Sequence, residues 1–181
     1  AMLRAGAKNQ KYLAAGLKDF KNDAGPERLV TWVESHDTYA NKGESAGLLN
    51  FDLRSGWAII CSRKNGTPLF FSRPKGAEGV QFPGESQIGD AGNDEFKHPE
   101  VKAVNLFRKE MIGEDEELFN GADSSVLIVK RGNRGAVIVN VGYKPTTVSF
   151  PINLQDGQYK DKANNLKFSV KNRILSGKLP K

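Results

Sequence analysis

One cysteine, Cys61, and two histidines, His36 and His98, are present among 181 residues. A single cysteine rules out a disulfide framework and a cysteine-based metal site, and two histidines are too few for a His-rich zinc centre. No apolar run approaches the roughly 20 residues that a membrane-spanning helix requires, and no stretch has the layout of a signal peptide. As it stands the chain reads as cytosolic, although Ala1-Met2 resembles a tag remnant ahead of a start codon. An excess of one charge sign is also nearly missing: Lys+Arg 27 against Asp+Glu 21 leaves +6. The lysines are scattered, with no basic run interleaved with aromatics, so the excess reads as solubility and not as nucleic-acid binding.

What is there is a globular composition, 38% hydrophobic and 27% charged, long enough for one domain or a domain and a half. Leu13, Leu17 and Phe20 recur at helical spacing within 12–22, ahead of Gly25-Pro26. Leu29 to Val33 is a short β-rich apolar run that predicts a buried parallel strand. Leu49, Leu53, Trp57 and Ile60 mark one face of a second helix through about Arg63, and Asn65-Gly66 ends it. Thr67 to Ser72 predicts another buried strand. Helix, strand, helix, strand is the order of a β/α fold. The loop from Arg73 to Lys97 is rich in glycine, but no Gly-Lys-Ser/Thr follows it, so it reads as a pocket wall and not as a phosphate cradle. His98-Pro99 opens a third helix, whose apolar side is Val101, Val104, Leu106, Phe107 and Met111.

From about Glu114 the pattern changes. Val126 to Lys130, Gly135 to Val141, Thr146 to Ile152, Gln158 to Asp161 and Leu166 to Val170 are short strand candidates separated by Gly, Asn and Asp. They predict an antiparallel sandwich or barrel. The acidic run Glu114 to Glu117 reads as a solvated linker between the two parts.

The most informative stretch is Leu29 to Asn41, LVTWVESHDTYAN. A buried strand there delivers Glu34, His36 and Asp37 at its C-terminal end, where α/β folds build their sites. The plainer reading is a solvated loop after a core strand. Elsewhere the plainer reading is preferred: Cys61 as packing, His98 as a helix start, and Trp32 and Trp57 as core.

In order, these segments resemble the C-terminal half of a bacterial secreted alpha-amylase, a glycoside hydrolase of the alpha-amylase family. LVTWVESHDTYAN is similar to the family's signature segment at the end of barrel strand seven, and SGWAIICSRKNGTPLFFSRP to the next helix and strand. VQFPGESQIGDAG resembles the loop after them. DGQYKD and ILSGKLP resemble the following β-sandwich.

The resemblance implies α/β plus all-β architecture. Residues 1–113 would be the last two strands of a (β/α)8 TIM barrel with their helices, and 114–181 an antiparallel β-sandwich short of its last strand. It also implies retaining hydrolysis of α-1,4-glucosidic bonds in starch and related glucans, which uses a nucleophile and a general acid about 5 Å apart. Asp37 resembles the family's third, transition-state-stabilising carboxylate. His36 resembles the histidine that binds sugar hydroxyls, and Tyr39 and Asn41 are further substrate-binding candidates. Ser35 stands where many members have Asn. The nucleophile, the acid and the family's calcium site have no counterpart here. The resemblance therefore implies a fragment that needs no cofactor of its own and is inactive alone. Its implied partners are an α-glucan and either a missing N-terminal half or a second copy. A non-catalytic carbohydrate-binding module, stacking sugars on Trp32, Trp57 or Tyr159, is the alternative.

Overall fold

The structure, a computed structural model, describes residues 25–83, 87, 89–122 and 125–180. The helix expected within 12–22 lies outside the described residues. Strand β1 (Val30–Trp32) pairs in parallel with β2 (Thr67–Leu69), in the register Val30 to Thr67 and Trp32 to Leu69. A parallel pair needs a long crossover. Two helices supply it, a short α1 (His36–Ala40) and α2 (Asn50–Ser62). Gly66, at φ +81°, turns the chain from α2 into β2, and a Cβ there would press on Thr31 Cγ2 at 3.2 Å.

The expected pair of buried strands requires correction. Each strand spans three residues where five and six were expected, and Val30, Trp32 and Leu69 are 53%, 49% and 53% exposed. A parallel strand is buried by neighbours on both edges and both faces. Among the described residues β1 and β2 have only each other as strand partners. Trp32 is accordingly not a core residue.

Helix α3 (Pro99–Glu110) packs against α2 around Trp57, Cys61, Val101 and Val104. His98 caps it, with Nδ1 accepting from the Glu100 amide, and Pro99 fills the first turn. Leu106 was expected on the packed side but is exposed. Trp57 is held by its Nε1–H, which donates to Asn105 Oδ1 at 3.0 Å, and by an edge-on contact with Phe70. Burial pushes the Cys61 thiol up to about 11, against a downward pull from Arg108. An unfolded chain releases that proton near pH 9.0, before the folded one does. The thiol's contribution to stability is thus full below about pH 9 and is lost as pH rises toward about 11. The loss of stability between those pH values should be shallower in Cys61→Ala than in the unsubstituted chain, as read by urea midpoints at matched pH.

After α3 come seven antiparallel strands: β3 (Glu116–Asn120), β4 (Val126–Arg131), β5 (Gly135–Asn140), β6 (Thr146–Pro151), β7 (Gly157–Lys160), β8 (Lys167–Lys171) and β9 (Ile174–Leu179). They form a sheet of order β3-β4-β5 and another of order β6-β9-β8-β7. β4 shows why the first sheet lies in the middle. Val126 and Ile128 face the second sheet, in a core with Val148, Phe150, Phe168 and Leu175. Leu127 and Val129 point the other way, onto Ile59 of α2. A strand covered on both faces reads as a continuous apolar run, and all four residues have no exposed surface.

The acidic run is solvated only in part: Asp115 is 90% exposed, but Glu116 is 14% exposed and belongs to a strand. Glu116 opens β3 and takes both of its 2.9 Å contacts from Arg63 Nε, and it also accepts from the Lys64 amide. Asp115 pairs with Lys64, whose hydrogen bond holds that carboxyl below its usual range. Arg131 and Arg108 donate to the carbonyls left over around the end of α2: Ser62 from Arg131, and Cys61 and Arg63 from Arg108. These charges clamp the β-rich part onto the helices. Sequence inspection hides this because the partners lie about fifty residues apart.

Candidate functional site

The chain leaves β1 through Val33 and turns into α1 under a capping box. The Ser35 amide donates to Thr38 Oγ1 at 2.9 Å, and the Thr38 amide donates to Ser35 Oγ at 3.3 Å. The cap fixes His36 and Asp37 as the first helical residues. Both side chains face outward, 81% and 76% exposed, with His36 Nε2 3.3 Å from Asp37 Oδ1. They are not packed among apolar groups, and are free to meet a ligand.

Behind this pair lies a buried ion pair. Arg73 is fully enclosed and grips Glu34, itself 3% exposed. Nε donates to Oε1 at 2.7 Å and Nη2 to Oε2 at 2.6 Å. The remaining guanidinium hydrogens go to the carbonyls of Ser45, Ala46, Leu48 and Ala77. One side chain therefore ties the end of β1, the α1–α2 loop and the loop after β2 into a single support. Glu34, one of the three ionisable groups expected at a pocket mouth, is a structural anion here. The importance of Arg73 could have been suspected only from an arginine ending an apolar strand.

Tyr39, a substrate-binding candidate, sits at 2% exposure beneath the surface. Its hydroxyl accepts from the Phe82 amide at 2.9 Å, and its ring lies against Phe71, Phe82 and the Arg73 guanidinium. The helical spacing explains the difference: two residues past Asp37 the helix has turned inward. Tyr39 is a support for the loop and presents no surface to a sugar. Asn41 stays on the surface and caps α1, with its side chain 3.4 Å from Glu44 Oε1. Of the aromatics considered for sugar stacking, Trp57 is buried and Tyr159 donates its hydroxyl to Gln155 O. Among the described residues, no group of three or more His, Cys, Asp or Glu side chains is placed to hold a metal ion. No helix of those residues is long and apolar enough to cross a membrane.

The described part of the chain thus joins a parallel β/α pair, with an exposed His36–Asp37 at its strand end, to packed antiparallel sheets. The comparisons make the class specific. No family model matches the chain. It is 47% identical over 162 residues to the alpha-amylase of Butyrivibrio fibrisolvens, a match covering 85% of this chain and 17% of that protein. It is 38% identical over 132 residues to the alpha-amylase of Clostridium acetobutylicum, covering 73% of this chain and 16% of that one. Among solved structures, the maltogenic alpha-amylase AmyB of Thermotoga neapolitana aligns with a TM-score of 0.62 at 14% identity, over 99% of this chain and 45% of that one. The chain is a homologue of alpha-amylases, and it spans about one sixth of the length of the curated relatives it matches.

Proposed function

We propose that this chain supplies one wall of an alpha-amylase active site, at the sugar unit whose bond is cleaved. Asp37 would be the carboxylate that stabilises the oxocarbenium-like transition state, His36 a hydrogen-bond partner of the sugar hydroxyls, and Asn41 a peripheral contact. The observation that carries the reading is the exposed His36–Asp37 pair, held at a strand end by the Ser35 cap and the Arg73–Glu34 pair. A fixed anion there favours developing positive charge over the neutral glucan, which is the difference that accelerates a reaction.

In this reading residues 1–113 are the last two strands and helices of a (β/α)8 barrel, and 114–181 form a β-sandwich. The exposed faces of Val30, Trp32 and Leu69 support it, because they are where further barrel strands, or a second copy of the chain, would pack. A cavity of about 400 Å³ runs along β5, which has no strand on its outer edge among the described residues. A further sandwich strand would fit there.

Retaining hydrolysis needs a nucleophile and a general acid. Glu34 is locked onto Arg73 and supplies neither. The isolated chain should therefore release no reducing sugar from soluble starch above a heat-denatured control. Release that saturates with starch would refute the assignment of Asp37 as a helper acid only.

A further inference from the structure

The loop after β2 carries an exposed aromatic, Phe82, in a strained backbone conformation. Phe82 has a positive φ of 49°, a backbone conformation that bulky side chains rarely adopt and that glycine takes without strain. Its side chain is nevertheless a phenyl ring, and the residue is 61% exposed. Strain of this kind persists only where surroundings enforce it. Here three hydrogen bonds do so. The Phe82 amide donates to Tyr39 Oη at 2.9 Å, and Gln81 Nε2 donates to the carbonyls of Tyr39 at 2.9 Å and Ala40 at 2.5 Å. The Phe82 ring stands edge-on to Tyr39, with centroids 5.3 Å apart and planes at 76°. An edge-on contact of this kind leaves a ring face uncovered. The segment is thus stapled to the helix that begins with His36 and Asp37, and it holds an aromatic ring in the open.

We propose that Phe82, packed on the helix that carries His36 and Asp37, is a sugar-stacking residue, taking the apolar C–H face of a glucosyl unit next to the one those two residues contact. The inference rests on the proposed role of Asp37. It adds a residue that sets substrate affinity and leaves the bond-breaking step alone. Pyranose rings offer one face of C–H groups, and an exposed aromatic beside convergent polar groups is the usual complement to such a mixed surface. It also explains why Tyr39 is buried: its hydroxyl positions the Phe82 backbone.

The test uses a chimera in which this chain replaces the matching stretch of the Butyrivibrio fibrisolvens alpha-amylase, assayed on maltoheptaose. Phe82→Ala should raise KM by about tenfold with kcat within about twofold. Phe82→Trp should restore KM, and Tyr39→Phe, which loses the amide contact, should raise KM part of the way. Melting temperatures of Phe82→Ala and the parent should coincide. A lowered melting temperature with unchanged KM would show that Phe82 is packing for other barrel segments, and would overturn the proposal. Asp37→Asn separates the two ideas. If it abolishes turnover while Phe82→Ala leaves KM unchanged, the stacking role alone fails; if it leaves turnover intact, the reading beneath both fails.

Discussion

Replacing Arg73 by methionine is expected to lower stability by about 3–5 kcal/mol, the range seen when one partner of a buried ion pair is removed. At this chain length that is a fall of roughly 6–20 °C in melting temperature. The size follows from what is stranded. Glu34, 3% exposed, would be left buried without its cation, and the carbonyls of Ser45, Ala46, Leu48 and Ala77 would lose their donor. Arg73→Lys should recover only part of the loss, because an ammonium cannot reproduce a two-pronged grip on Glu34 while reaching four carbonyls. The double change Glu34→Met with Arg73→Met should be less damaging than Arg73→Met alone, since it removes the uncompensated charge as well. Thermal unfolding followed by circular dichroism checks all three. Equal melting temperatures for Arg73→Met and the parent would show that the pair supports nothing.

The Arg73 cluster also marks where sequence reading stops. The helices over 50–62 and 99–110 were legible because apolar residues at helical spacing meet one another there, as Trp57, Cys61, Val101 and Val104 do. The strands between Val126 and Lys171 were legible from apolar runs broken by Gly, Asn and Asp. Two strands were missed. Glu116–Asn120 begins with two carboxylates, and only their partners, Arg63 for Glu116 and Lys130 for Glu117, make them compatible with a strand. Ile174–Leu179 contains Ser176, Gly177 and Lys178, whose place in the centre of a sheet depends on β6 and β8 at either side. Gly177 is required there, because a Cβ would come within 2.3 Å of the Phe168 ring.

At the site, His36 and Asp37 could be picked out because their spacing after an apolar run is a local feature. Their supports could not. Glu34 and Arg73 are 39 residues apart, and Tyr39 and Phe82 are 43 apart. The exposure of Trp32 was invisible for the opposite reason: β-rich sequence predicts burial only if neighbouring strands are supplied.

The exposure of the His36–Asp37 pair ties the account to one comparison. In the chimera with the Butyrivibrio fibrisolvens alpha-amylase, Asp37→Asn keeps the shape of the side chain and removes its charge. Since Asp37 is 76% exposed and its only ion-pair neighbour among the described residues is His36, the melting temperature should not move. Turnover on maltoheptaose should fall by about 10²–10³-fold, the loss that follows removal of one preorganised electrostatic group from a transition state. A parent chimera that hydrolyses the substrate while Asp37→Asn does not, at equal stability, is the result predicted here. An Asp37→Asn chimera that retains turnover within about tenfold of its parent would contradict it.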